Sequence, residues 1–173
     1  AASGGALTRA LKGAGFKAKR GDQLELFGLP KVVASRLLLV GLGRPAELDA
    51  LGAEAIGAGI VAKLQHSGEK AVFIAADNVP GAEIAAEEFA ARLAYGAKLR
   101  SYRFDRYRTT EAADKKPSLQ KFTIGTAAAA RAGKAYERLE AVANAVANAR
   151  DLVTEPGNVL YPESYAKEIK KLQ

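Results

Sequence analysis

Arg36-Leu-Leu-Leu-Val-Gly-Leu-Gly43 is the run that decides the fold class. It is apolar at odd and even positions alike, so an extended strand here buries both of its faces. Such strands belong to parallel sheets flanked by helices. Pro45 is accepted in a first helical turn, and a helix is predicted from there to about Gln65. Leu48, Leu51, Ala55, Ala58 and Ala62 form its expected apolar side. Lys70-Ala-Val-Phe-Ile-Ala-Ala76 repeats the buried-strand pattern, and Asp77-Asn-Val-Pro-Gly81 makes a turn. Residues 82–97 read as a second helix, with Ala85, Phe89 and Leu93 on one face. Strands are predicted at Leu99–Phe104 and Gln120–Gly125, separated by a polar loop at 108–118. The order strand, helix, strand, helix, strand implies an α/β fold, a three-layer sandwich with a mixed, mostly parallel sheet and right-handed crossovers.

Ahead of this block, residues 3–13 pair Leu7 and Leu11 on one face of a short helix that Ser3 caps. Gln23-Leu-Glu-Leu-Phe27 alternates like a half-exposed strand. Behind the block the pattern changes at Ala129. Ala135, Leu139, Val142, Val146, Ala149 and Val153 are spaced alternately four and three apart, a narrow seam on a long helix. Glu155-Pro-Gly157 stops it, and Pro162 opens another helix. The division expected is an α/β domain at 1–128, a linking helix at 129–154, and the start of a further domain at 155–173. With its seam uncovered, the linking helix is expected to fray or to pack on a neighbouring copy.

Composition narrows the classes. The 173 residues are 49% hydrophobic and 26% charged, as in folded soluble proteins rather than disordered ones. No apolar run approaches the roughly 20 residues that cross a bilayer, and no membrane partner is expected. There is no Cys, which removes disulfides and thiolate chemistry and fits a reducing compartment. There is no Met either, from which a chain trimmed at its front is expected. The net charge of +7 suits either an acidic or nucleic-acid partner, or a basic segment of a larger protein.

Two stretches are candidate binding sites. Gly41-Leu-Gly43-Arg-Pro-Ala46 follows a strand and precedes a helix, so it is either a phosphate loop at a helix N-terminus or a tight turn. The acidic partner expected about 20 residues on is missing, which favours the turn. Arg100, Arg103, Arg106 and Arg108 interleave with Tyr102, Phe104 and Tyr107. They read either as a DNA-binding surface or as a strand with aromatics inward. His66, the one histidine, reads as a residue at a helix C-terminus, where the dipole favours it. Glu83 and Glu87 read as a solvated helix face. No catalytic constellation and no metal-ligand spacing is present.

The segment Asn148-Ala-Arg-Asp-Leu-Val-Thr-Glu-Pro-Gly-Asn-Val-Leu-Tyr-Pro-Glu-Ser164 closely resembles the stretch that joins the two domains of the leucyl (cytosol) aminopeptidase family. Gly4–Leu7, Leu38–Gly43 and Tyr102–Tyr107 agree with it more loosely. The resemblance implies a two-domain metalloenzyme of the cytoplasm that removes N-terminal amino acids from peptides, with two divalent metal ions, Mn or Zn, activating a water. Metal ligands and catalytic residues belong to the C-terminal domain, so no cofactor and no catalytic residue is assigned here. The implied partners are that catalytic domain and further copies in a hexamer. The N-terminal domain is implied to be macro-domain-like, which leaves an ADP-ribose-type ligand near Gly41 and Gly43 as an alternative. The family also places a strand or two ahead of Ala1, whose absence would open a sheet edge to another chain. Arg150, Asp151, Glu155 and Asn158 then read as structural residues of a domain junction.

Overall fold

The computed structural model describes residues 5–171; Ser3, the expected cap, lies outside them. Helix α1 (Ala6–Gly13) leads to strand β1 (Gln23–Phe27), which pairs antiparallel with β2 (Arg36–Val40). Leu24 lies opposite Leu39, and Leu26 opposite Leu37. Strand β3 (Ala71–Ala75) pairs in parallel with β4 (Lys121–Gly125), setting Val72 beside Phe122 and Ile74 beside Ile124. The fold is α/β with one antiparallel and one parallel pair, and among the described residues no ladder joins β2 to β3.

The strand at 36–40 was expected at a central parallel position, and its ladder partner is instead the antiparallel β1. An apolar run reports burial and is silent on the direction of its neighbour. Residues 28–35 are too few for the dozen or more residues that a parallel crossover takes.

Helix α2 (Ala50–Leu64) follows a 3₁₀ turn at Pro45–Glu47. Asp49 caps it, its carboxylate accepting the Gly52 amide at 2.8 Å. The buried face is Ala53, Ile56, Gly57, Ile60, Val61 and Leu64. Leu48 is buried as expected, but Leu51, Ala55 and Ala62 turn outward, Leu51 being 72% exposed. The stripe Ile56–Ile60–Leu64 is bulkier than the alanine side and covers more apolar strand surface.

Helix α3 (Ala86–Ser101) buries Phe89 and Leu93. It extends through Leu99, Arg100 and Ser101, so the strand predicted at 99–104 does not form. Gly96 does not stop the helix, because it is a contact point. A Cβ there would lie 2.0 Å from the Glu54 carbonyl oxygen, and one at Gly57 would lie 2.1 Å from that of Leu93. The two glycines let α2 and α3 touch backbone to backbone. Arg92 reinforces the contact by reaching Glu54 of α2 at 2.7 Å, held in place by Glu88 of its own helix at 2.5 Å. The core gathers α2 and α3 against Leu38, Val40, Val72, Ile74, Phe122 and Ile124.

Helix α4 (Ala129–Thr154) packs on α3. Ala132 and Ala143 are buried there, while Val142, Val146 and Val153 of the predicted seam stay exposed. Small side chains permit a closer approach than the valines would. Lys98 to Glu140 at 2.8 Å and Arg131 to Glu87 at 3.5 Å cross the same contact. Glu83 precedes α3 and is exposed, so it shares no helical face with Glu87. Helix α4 is continuous to Thr154. Helix α5 (Pro162–Lys170) starts at its proline as predicted.

Candidate interdomain junction

Where α3 ends, Tyr102 adopts an extended backbone and the chain leaves across the end of α4. The segment 102–108 and the last turn of α4 then meet side chain to side chain. The Tyr102 hydroxyl donates to Asp151 Oδ1 at 2.7 Å, and the Arg150 guanidinium lies 4.0 Å over the Tyr102 ring. Arg106 spans two carboxylates, donating to Asp151 Oδ2 at 2.8 Å and to Glu155 Oε1 at 2.5 Å. Tyr107 donates to Glu155 Oε2 at 2.5 Å. Phe104 packs at a tilt against Tyr107, with ring centres 5.7 Å apart, and Arg106 lies over its face.

The electrostatics explain the arrangement. Glu155 caps the C-terminus of α4, where the helix dipole disfavours a negative charge. Its side chain is only 5% exposed, so the carboxylate needs compensation, and Arg106 and Tyr107 supply it. The hydrogen bond to Glu155, with the charge of Asp151, raises Arg106 above the usual guanidinium value. Tyr107 is raised chiefly by its bond to Glu155. Tyr102 is raised first by desolvation and then by its bond to Asp151. Both phenols keep the protons they donate.

The sequence-predicted residues divide. Arg150, Asp151 and Glu155 come together at the junction, while Asn158 is exposed in the following turn. Of the four arginines, Arg106 is spent on Asp151 and Glu155, Arg103 on Glu111, and Arg108 lies 3.7 Å from Glu111. Arg100 is exposed on the last turn of α3. Three of the four thus face carboxylates of this chain. At the other loop, the Gly41 amide donates to Asp22 O at 2.8 Å and the Gly43 amide to Ala18 O at 3.1 Å. A Cβ on Gly41 would overlap the 18–19 backbone, at 2.2 Å from Lys19 O. Those amides are thus occupied, and Asp49 holds the α2 N-terminus that a phosphate would use. His66 is exposed just past α2. Among the described residues no three His, Cys, Asp or Glu side chains are grouped to hold a metal, and no helix is long and apolar enough to cross a membrane.

The junction residues that a reading of the chain misses are Tyr102 and Tyr107. Their partners lie 49 and 48 positions away. The local signal, aromatics alternating with arginines, is equally that of a strand.

An α/β domain bound side chain to side chain to a long helix is the class of structure defined here. The model of the cytosol aminopeptidase family N-terminal domain matches residues 1–111, and the chain belongs to that family. A probable cytosol aminopeptidase of Caulobacter vibrioides is 40% identical over 99% of the chain and 34% of the relative. One of Afipia carboxidovorans is 37% identical over 99% and 34%. The chain thus spans about a third of the length of the curated relatives it matches. Among solved structures, the bottromycin maturation enzyme BotP in complex with Mn superposes with a TM-score of 0.74, at 27% identity over 94% of this chain and 32% of that one. A mutant of tomato leucine aminopeptidase gives 0.74, at 26% identity over 96% and 32%.

Proposed function

We propose that this chain is the non-catalytic front part of a leucyl-type aminopeptidase, and that it holds the linking helix in a fixed direction for the catalytic domain that follows. One observation carries this reading: the last turn of α4 is fastened to the α/β domain through Tyr102, Arg106 and Tyr107. A helix gripped at its exit constrains what comes after Glu155. The exposed valines Val142, Val146 and Val153 then offer apolar surface to that following domain.

On this reading the chemistry lies outside the chain. The whole protein releases N-terminal amino acids from peptides in the cytoplasm, with two divalent ions, Mn or Zn, held by residues beyond Gln173. The complex of BotP with Mn supports the metal class. The front domain also takes part in building a hexamer. The test compares the whole protein with this chain on a leucyl chromogenic substrate with added Mn or Zn. The whole protein is expected to release the chromophore and this chain to release none. Turnover by the pure chain overturns the proposal, as does an inactive, folded and metal-loaded whole protein.

A further inference from the structure

A cavity of about 410 Å³ lies where the last turns of α2 and α3 meet the start of β4 and the start of α4. Its walls are apolar: Val61, Ala94 and Ala97 from the helices, Pro117 and Leu119 from the loop, and Phe122 from β4. The loop side is preformed. The Ser118 amide donates to Gln65 O at 2.7 Å, and the Gln120 amide donates to Lys70 O at 2.8 Å. Some of the polar groups that line the cavity are already engaged. Lys98 pairs with Glu140 at 2.8 Å, and the Ser101 hydroxyl donates to Lys98 O at 2.8 Å. Others are free. Among the described residues Lys121 has no ion pair, and neither the Gln65 side-chain amide nor the Tyr136 hydroxyl has a hydrogen-bond partner. Burial raises the half-buried Tyr136 phenol above its usual value, with Lys98 opposing and Glu140 adding, so it keeps a proton to donate.

We propose that this cavity binds a small monocarboxylate with an apolar body, such as a branched alkanoate. Lys121 supplies the charge, Gln65 and Tyr136 supply further donors, and the walls take the hydrocarbon. Apolar walls with a few convergent polar groups are the composition of small-ligand sites, and the volume falls in their usual range of roughly 300–1,000 Å³. The charge balance selects a monoanion. Lys98 is matched by Glu140, which leaves Lys121 as the surplus cation of the lining. The carboxylate belongs on the β4 side. Helix C-termini disfavour an anion beside them, and Gln65 O at the end of α2 is taken by the Ser118 and Leu119 amides. Lys121 instead opens β4 with its side chain unpaired. A zwitterionic amino acid fits less well, because the lining holds no carboxylate for its ammonium. The cavity shares no residue with the clamp of Tyr102, Arg106, Tyr107, Asp151 and Glu155, so it stands or falls apart from the role proposed above.

The test titrates isocaproate, its neutral amide and leucine into this chain while backbone amide resonances are followed. Isocaproate is expected to shift residues 94–101 and 117–122 saturably. The neutral amide and leucine are expected to bind about tenfold more weakly, the weight of one charge-assisted hydrogen bond. Lys121→Gln is expected to lose about tenfold for isocaproate and to bring the acid and its amide level, with little change in Tm because the side chain is exposed. Ala94→Leu fills the cavity from a half-buried position and is expected to abolish binding. No saturable shift at these residues overturns the inference. So does equal affinity for the acid and its amide, which would make the cavity an apolar hollow without selectivity. Leucine binding as tightly as isocaproate, or unchanged affinity in folded Lys121→Gln, overturns it as well.

Discussion

Replacing Gly57 by Ala sets two opposing effects against each other, and the structure decides the sign. In a helix interior Ala is favoured over Gly by about 1 kcal/mol. Gly57, however, would place its new Cβ 2.1 Å from the Leu93 carbonyl oxygen, where ordinary contact begins at 3.4 Å. The obstacle is backbone, so it cannot rotate away, and α2 and α3 must separate by about the 1.3 Å difference. A gap of 0.5–1 Å already forfeits roughly a quarter to a half of a dispersion contact, and Ile60 and Leu93 sit in this interface. Overpacking costs about 1–3 kcal/mol. Taking the upper end for a backbone clash, the net is a loss of about 2 kcal/mol. For a chain of this size that lowers Tm by about 4–8 °C. Gly133→Ala is the control, because a Cβ at Gly133 meets nothing within 4 Å. It is expected to stabilise by about 0.5–1 kcal/mol. Urea midpoints and thermal melts of both variants give the answer. If Gly57→Ala is as stable as Gly133→Ala, the helices do not touch as described and the reasoning fails.

Three other outcomes follow from the contacts. Arg106→Ala, or Glu155→Gln, is expected to speed amide exchange at 148–154 by about tenfold while 90–97 stays protected; equal protection throughout would remove the grip on α4. The Tyr102 and Tyr107 values are raised above 10, so the contribution of their donated bonds is fully present below about 10 and is lost as pH rises through the raised values; exchange at 148–154, corrected for intrinsic rate, is expected to rise there, less so in Tyr102→Phe/Tyr107→Phe. Glu25 is lowered below 4.5, first by its hydrogen bond to Arg36, with burial opposing and Lys63 adding charge. Its contribution is therefore present above about 4.5 and lost as pH falls through the lowered value, and Glu25→Gln is expected to flatten the acid limb of the unfolding midpoint against pH.

The family, the α/β class and the long helix at Ala129–Thr154 were legible in the chain, because they rest on local patterns. Helix α4 shows a seam of regular spacing, α5 a proline in its first turn, and 148–164 a continuous motif. Which face of α2 turns inward was not legible. Leu51 and Ala55 obey helical spacing as well as Ile56 and Ile60 do, and only the neighbouring surface chooses between them. The segment 99–104 failed for the same reason. Its alternation satisfies a strand, yet α3 runs on through Ser101, packed on α2 where Gly96 meets Glu54.

The sequence by itself determined what each segment is able to become and to which family the chain belongs. Only the tertiary structure decided what the arginines and aromatics at 102–108 touch. Their charge and alternation permit a nucleic-acid surface, a strand or a clamp. Asp151 and Glu155, brought from the far end of α4, place carboxylates within hydrogen-bond reach of Arg106 and Tyr107. Pairing across that separation depends on how α4 lies on α3, which is a property of packing and not of any local stretch.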